Sequence, residues 1–298
     1  MRPARLAVTL TAHGSRDPRA ARATEALTRA VAARHPAWEV HASYLDHAGP
    51  RPREVLASFA GAGHRRAVLV PLLLSSAYHG RVDVPGEITA ARAACPGLLV
   101  EQAEVLGPVD GRVPALLIDA LESRLGSVGP DGRGSGLGFA GPDALESRMG
   151  CVGLNARESR LGSAGPDARE SRLSGAGLDA VVLAAAGTRN AGARATVDQA
   201  AAALSARLGL PCRVAYASAA PPLSGDVVRD LRAEGHERIG LASYFLAPGL
   251  LWDSTLGSAR EAGVCAVAEP LTDVPAIVEL VSVRVLAAAS RPVAALAA

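Results

Sequence analysis

The sequence predicts an α/β protein built as two duplicated flavodoxin-like domains, each a parallel four-stranded sheet flanked by helices. Three observations carry this. Apolar periodicity switches repeatedly between the strand and helix patterns, as expected of strands alternating with helices. Val68 to Leu74 is a continuous apolar run, the mark of a strand buried on both faces. The two ends of the chain also read as copies of one another. Tyr44 to Gly63, YLDHAGPRPREVLASFAGAG, aligns with Tyr216 to Gly235, YASAAPPLSGDVVRDLRAEG, and HRRAVLVPLLL from His64 aligns with HERIGLASYFL from His236.

Taken in order, residues 5–12 are short, apolar and threonine-rich, a strand. Asp17-Pro18 then places an N-cap and a proline at the first helical position, opening a helix over 18–34. A second strand is expected at 39–45, a second helix at 51–61 and a third strand at 68–74. A helix over 84–94, a fourth strand over 98–104 and a closing helix over 110–124 complete the first copy. The turn LTAHGSRDP at residues 10–18 returns as LAAAGTRNA at 183–191, one residue out of step with the rest. Ala186 stands where the first copy has His13.

Between the copies, residues 120–179 divide into five twelve-residue blocks such as ALESRLGSVGPD and ARESRLGSAGPD. Each block offers one or two apolar side chains among glycines and prolines. Burial of one leucine returns ~2 kcal/mol, several times less than the cost of ordering twelve residues. These blocks are read as a linker, the first extending the closing helix. The expected division is 1–122 for the first domain, 123–177 for the linker and 178–298 for the second domain.

Composition narrows the function. Hydrophobic residues make up 49% and charged residues 20%, the balance of a globular chain, and a net charge of +2 leaves no basic stripe for nucleic acid. All basic residues are arginine, which grips planar carboxylates with two hydrogen bonds. Cys95, Cys151, Cys212 and Cys265 show no zinc-knuckle or cluster spacing. No stretch approaches the ~20 apolar residues of a membrane span. A cytoplasmic monomer with no membrane or nucleic-acid partner is expected.

In parallel sheets ligands bind beyond the carboxyl ends of the strands. His13 falls just past strand one, Asp46 just past strand two beside His47, and His79 in the loop after strand three. Two imidazoles and a carboxylate suit a divalent first-row metal, and an imidazole can also accept a proton near neutral pH. His35, His41 and His64 lie away from this rim and read as structural, while His47 stays undecided.

The stretches HGSRDP, YLDHAGPRPREVL and AYHGRVDVP resemble those of the class II chelatases, the sirohydrochlorin ferrochelatase and cobaltochelatase family. Ala77 stands where the family's second histidine loop usually has glycine, and Asp46 where an acidic residue, commonly glutamate, is found. The resemblance covers both copies but not the linker. It implies that His13, His79 and Asp46 are catalytic and handle the metal, and that Ser15, Arg16 and Arg81 bind a carboxylate-bearing tetrapyrrole. Fe2+ or Co2+ would be a substrate, with no tightly bound cofactor. Long members keep the histidines in one copy only. Here Ala186, Ser218 and Leu251 stand opposite His13, Asp46 and His79. Two other classes compete. A non-catalytic tetrapyrrole or metal carrier needs the cleft but no proton acceptor. A nucleotide enzyme is disfavoured because HGSRD lacks GxGxxG and the P-loop lysine.

Overall fold

The structure is a computed structural model that describes residues 5–75, 84–127, 177–218, 220–272 and 274–291. His79, Arg81, Cys151 and nearly all of the repeat blocks lie outside the described residues. The first copy runs β1 (Leu6–Ala12), α1 (Pro18–Arg34), β2 (Trp38–Tyr44), α2 (Pro52–Gly61), β3 (Arg66–Pro71), α3 (Val84–Ala94), β4 (Leu99–Gln102) and α4 (Ala115–Gly126). The second runs β5 (Ala180–Ala185), α5 (Ala191–Leu208), β6 (Cys212–Tyr216), α6 (Ser224–Ala233), β7 (Ile239–Tyr244), α7 (Leu250–Glu261), β8 (Ala266–Val267) and α8 (Pro275–Ala289). Each copy forms a four-stranded parallel sheet, ordered β2-β1-β3-β4 and β6-β5-β7-β8. Two duplicated α/β units are therefore present as the sequence predicts.

The threonines that interrupt the first apolar run are resolved by pairing. Thr9 and Thr11 are fully buried, and both hydroxyls bond the Ser43 hydroxyl of β2, at 2.8 and 2.9 Å. A buried hydroxyl is tolerated when it is bonded. Asp17 caps α1 by accepting the Arg19 N–H at 2.9 Å, and Pro18 opens the helix. The closing helix starts later than its periodicity suggests, at Ala115. Asp110 and Gly111 both take positive φ, in a tight turn where Val109 and Arg112 exchange backbone hydrogen bonds. Aspartate followed by glycine is the preferred pair for such a turn.

The helix that closes each sheet comes from the other copy. α4 packs on β7 and α5, while α8 packs on β3, β4 and α1. Leu117, Leu121 and Leu125 of α4 and Ile277, Val281 and Val285 of α8 are buried in one core shared by the inner faces of both sheets. Polar ties follow the same exchange. Arg207 of α5 reaches Asp119 and Glu122 of α4 at 2.6 and 2.9 Å. His35 bonds Ser282 of α8 at 2.7 Å. The outer faces hold separate cores, one around Leu56, Phe59 and Leu69, the other around Leu231, Leu241 and Trp252.

The exchange brings the two ends of the repeat segment together. A side chain at Gly240 of β7 would meet Leu178 at 2.7 Å and Leu125 at 3.6 Å, so the end of α4 and the approach to β5 flank one point. Replacing residues 129–175 with a short Gly/Ser loop should leave thermal stability and activity near those of the full chain. Loop-closure cost changes by only ~0.6 kcal/mol per halving of length. A collapse of either quantity would make the repeats a structural part of the fold.

Candidate functional site

β1 and β2 end side by side, with Ala12 registered against Tyr44. Beyond them the two loops are stitched together. Leu45 N–H donates to the Ala12 carbonyl at 3.0 Å and Asp46 N–H to the His13 carbonyl at 2.9 Å. Gly14 makes this possible. Its φ is +94°, and a Cβ there would lie 1.8 Å from the Asp46 carbonyl oxygen. Only glycine permits that approach. The sequence-predicted pair His13 and Asp46 is thus brought together by the backbone itself.

Asp46 accepts the His47 N–H at 2.8 Å, and its carboxylate lies 3.6 Å from His47 Nε2 and 3.9 Å from the Arg51 guanidinium. The His47 N–H, then the charges of His47, Arg51 and His13, hold the Asp46 carboxyl below its ordinary range. His47 adopts φ +59°, uncommon for a residue with a side chain. Its ring stands edge-on to His13, with centroids 6.3 Å apart at 85°. His47, which sequence reasoning left undecided, therefore belongs with His13 and Asp46. Its signal was adjacency to the acidic residue in a tight glycine-proline turn. Among the described residues no group of three or more His, Cys, Asp or Glu is disposed to hold a metal ion.

Ser15 accepts the Asp17 N–H at 3.0 Å. Thr188 accepts the Asn190 N–H in the second copy at 3.1 Å, so this bond belongs to the turn. Arg16 is exposed, with no ion pair among the described residues. His64 lies at the opposite end of the sheet, 3.0 Å from Glu39, and His41 lies midway along β2, 3.4 Å from Glu39. His35 stacks on Trp38. These three are structural, as the sequence suggests.

A cavity of about 160 Å³ adjoins the site and is lined from both copies. His13, Tyr44 and Leu72 face it from the first, Leu246, Ala247 and Thr272 from the second. Arg19 spans the same junction. Its guanidinium bonds the Asp17 carboxylate at 2.6 Å and the Asp253 carboxylate of α7 at 2.5 and 3.2 Å. Nothing in the sequence pairs residues 19 and 253. Tyr244, buried at the end of β7, donates to the Leu74 carbonyl at 3.0 Å. Burial pushes its hydroxyl pKa well up, so it remains a donor.

The second copy repeats the scaffold without the chemistry. Gly187 takes φ +93°, and a Cβ there would lie 1.9 Å from the Ser218 carbonyl oxygen. Ser218 occupies the Asp46 position, and its hydroxyl donates to the Ala186 carbonyl at 3.1 Å.

A duplicated parallel-sheet protein with imidazoles and a carboxylate on one rim, and a silent second rim, has the architecture of the two-domain class II chelatases. The chain belongs to the CbiX family, whose model matches residues 7–125 and 180–288. It is 27% identical over 101 residues to a sirohydrochlorin cobaltochelatase of Methanosarcina acetivorans, covering 34% of this chain and 78% of that one. Its fold is similar to that of SirB from Bacillus subtilis with Fe3+, with TM-score 0.69 at 16% identity and 96% of each chain covered. The SirB of Bacillus subtilis subspecies spizizenii in complex with cobalt gives TM-score 0.66 at 16% identity and 97% coverage of each.

Proposed function

We propose that the protein inserts a divalent metal, Fe2+ or Co2+, into sirohydrochlorin. The observation that carries this reading is the asymmetry of the duplicated rim. His13, Asp46 and His47 cluster in one copy, while the other, folded on the same bonds, has Ala186, Ser218 and Ala219. Two relatives that the chain matches in part are sirohydrochlorin cobaltochelatases, and the chain itself belongs to the CbiX family.

The reaction exchanges two pyrrole N–H protons for one M2+. The metal must shed water while the ring nitrogens lose their protons. Neutral imidazoles at His13 and His79 hold the incoming metal loosely, and an imidazole is a suitable proton acceptor near neutral pH. Asp46 remains ionised and orients the His47 side of the site, or attracts the cation. Arg16 and Arg81, with the Ser15 hydroxyl, bind the substrate's carboxylates. The second copy acts as the opposite wall of the cleft, and clefts between domains are common ligand sites. We take residues 1–122 as the unit that carries the working rim, 123–177 as the linker and 178–298 as the second unit.

Anaerobic mixing of the protein with sirohydrochlorin and either metal, followed by visible absorbance, tests this. Insertion faster than the spontaneous rate is expected. Tight tetrapyrrole binding without acceleration would make the protein a carrier.

A further inference from the structure

The turn that carries His13 is tied to the silent copy through one side chain. Ser15 accepts the Asp17 N–H at 3.0 Å, and the Asp17 carboxylate accepts the Arg19 N–H at 2.9 Å and its guanidinium at 2.6 Å. The same guanidinium donates to both Asp253 oxygens, at 2.5 and 3.2 Å. One chain of hydrogen bonds thus begins at Ser15, beside the histidine turn, and ends on the first turn of α7 in the second copy. A planar guanidinium can hold two carboxylates in fixed directions, which a lysine ammonium cannot.

Packing alone does not fix this junction. Gly14, Ala20 and Ala21 on one side and Leu246 and Ala247 on the other line the cavity of about 160 Å³, so the groups that face each other here leave space between them. The far end of α1 is anchored to the second copy by the His35–Ser282 bond, at 2.7 Å. At the rim end Arg19 provides the polar tie. The duplication does not repeat it. Gly192 stands where Arg19 would align, although Asn190 caps α5 much as Asp17 caps α1. A tie that served only to join the copies could be made at either turn. It is made at the turn that bears the histidine.

We propose that Arg19 and Asp253 are positioning residues for metal insertion: the second copy, with Ala186 in place of its own histidine, sets the place of the His13 turn through Asp253. This inference rests on the chelatase reading above. Both residues act through His13 rather than on the ring or the metal. A reacting side chain is effective only when held within ~0.5 Å of its productive place. The silent copy then contributes geometry to the site as well as a wall.

Steady-state insertion by Asp253→Asn and Arg19→Gln tests this, with kcat and the KM for sirohydrochlorin read separately. Arg19 and Asp253 are each 40% exposed, and so exposed a pair contributes little to stability. The melting temperature should therefore move by no more than about 3 °C. In either variant kcat should fall about tenfold while KM stays within about twofold. Asp253→Glu should recover most of the loss. Adding Asp253→Asn to Arg19→Gln should lower kcat no further, since both break one tie. Glu234→Gln breaks the comparably exposed Arg213–Glu234 pair at the amino end of β6 and should leave kcat unchanged. A wild-type kcat in Asp253→Asn would overturn the inference and leave the chelatase reading standing. So would a loss confined to KM, or a further fall in the double variant, which would put Asp253 on the ring or the metal itself. A wild-type chain that inserts no metal would overturn both.

Discussion

His13→Ala is expected to bring metal insertion close to the spontaneous rate, a loss of roughly 10²–10⁴-fold if the imidazole moves a proton. The side chain is exposed at the end of β1, and the residue's stitch to the neighbouring loop is made by its backbone carbonyl. The variant should therefore fold, melt normally and still bind the tetrapyrrole. Asp46 sharpens the expectation. Its carboxyl is held below the ordinary carboxylate range, so it stays ionised as pH falls from 7 to 5. A fall in activity across that window would therefore not come from protonating Asp46. A variant with wild-type rate would remove His13 from the site.

Gly14→Ala should have the second largest effect, for a different reason. A methyl group at φ +94° is strained, and here it would also lie 1.8 Å from the Asp46 carbonyl oxygen. The two loops must separate, carrying His13 away from Asp46. Strain and lost backbone bonds together should cost about 3 kcal/mol or more in urea unfolding. Gly187→Ala makes the same collision with Ser218 in the silent copy and should destabilise to a similar degree. Gly63→Ala shares the positive φ, but nothing lies within 4 Å of its Cβ, so only the strain of ~1 kcal/mol or so applies. In protein that remains folded, Gly14→Ala should lose insertion and Gly187→Ala should keep it. Equal activity in the two would separate the turn's geometry from the chemistry.

Much of this was legible in the sequence because local signals decide it. Asp17-Pro18 marks the start of α1 whatever surrounds it, and HGSRDP against AAGTRNA exposes the duplication and its missing histidine. The exchange of α4 and α8 was not legible. Both helices carry an apolar stripe, and in a duplicated protein either stripe fits either sheet. Arg19–Asp253 and Tyr244–Leu74 bridge the copies and depend on that packing, so no local spacing announces them. His47 was ambiguous because its role follows from a left-handed backbone that swings its ring toward His13.

The claim that the chemistry belongs to one rim of a duplicated pair is tested most directly by the insertion rate of two matched variants. Asp46→Ala and Ser218→Ala remove the side chains at equivalent positions, both on the surface and both beside a glycine turn. The account predicts a large fall in Asp46→Ala and a near wild-type rate in Ser218→Ala. Equal losses in both, or no loss in Asp46→Ala, would contradict it.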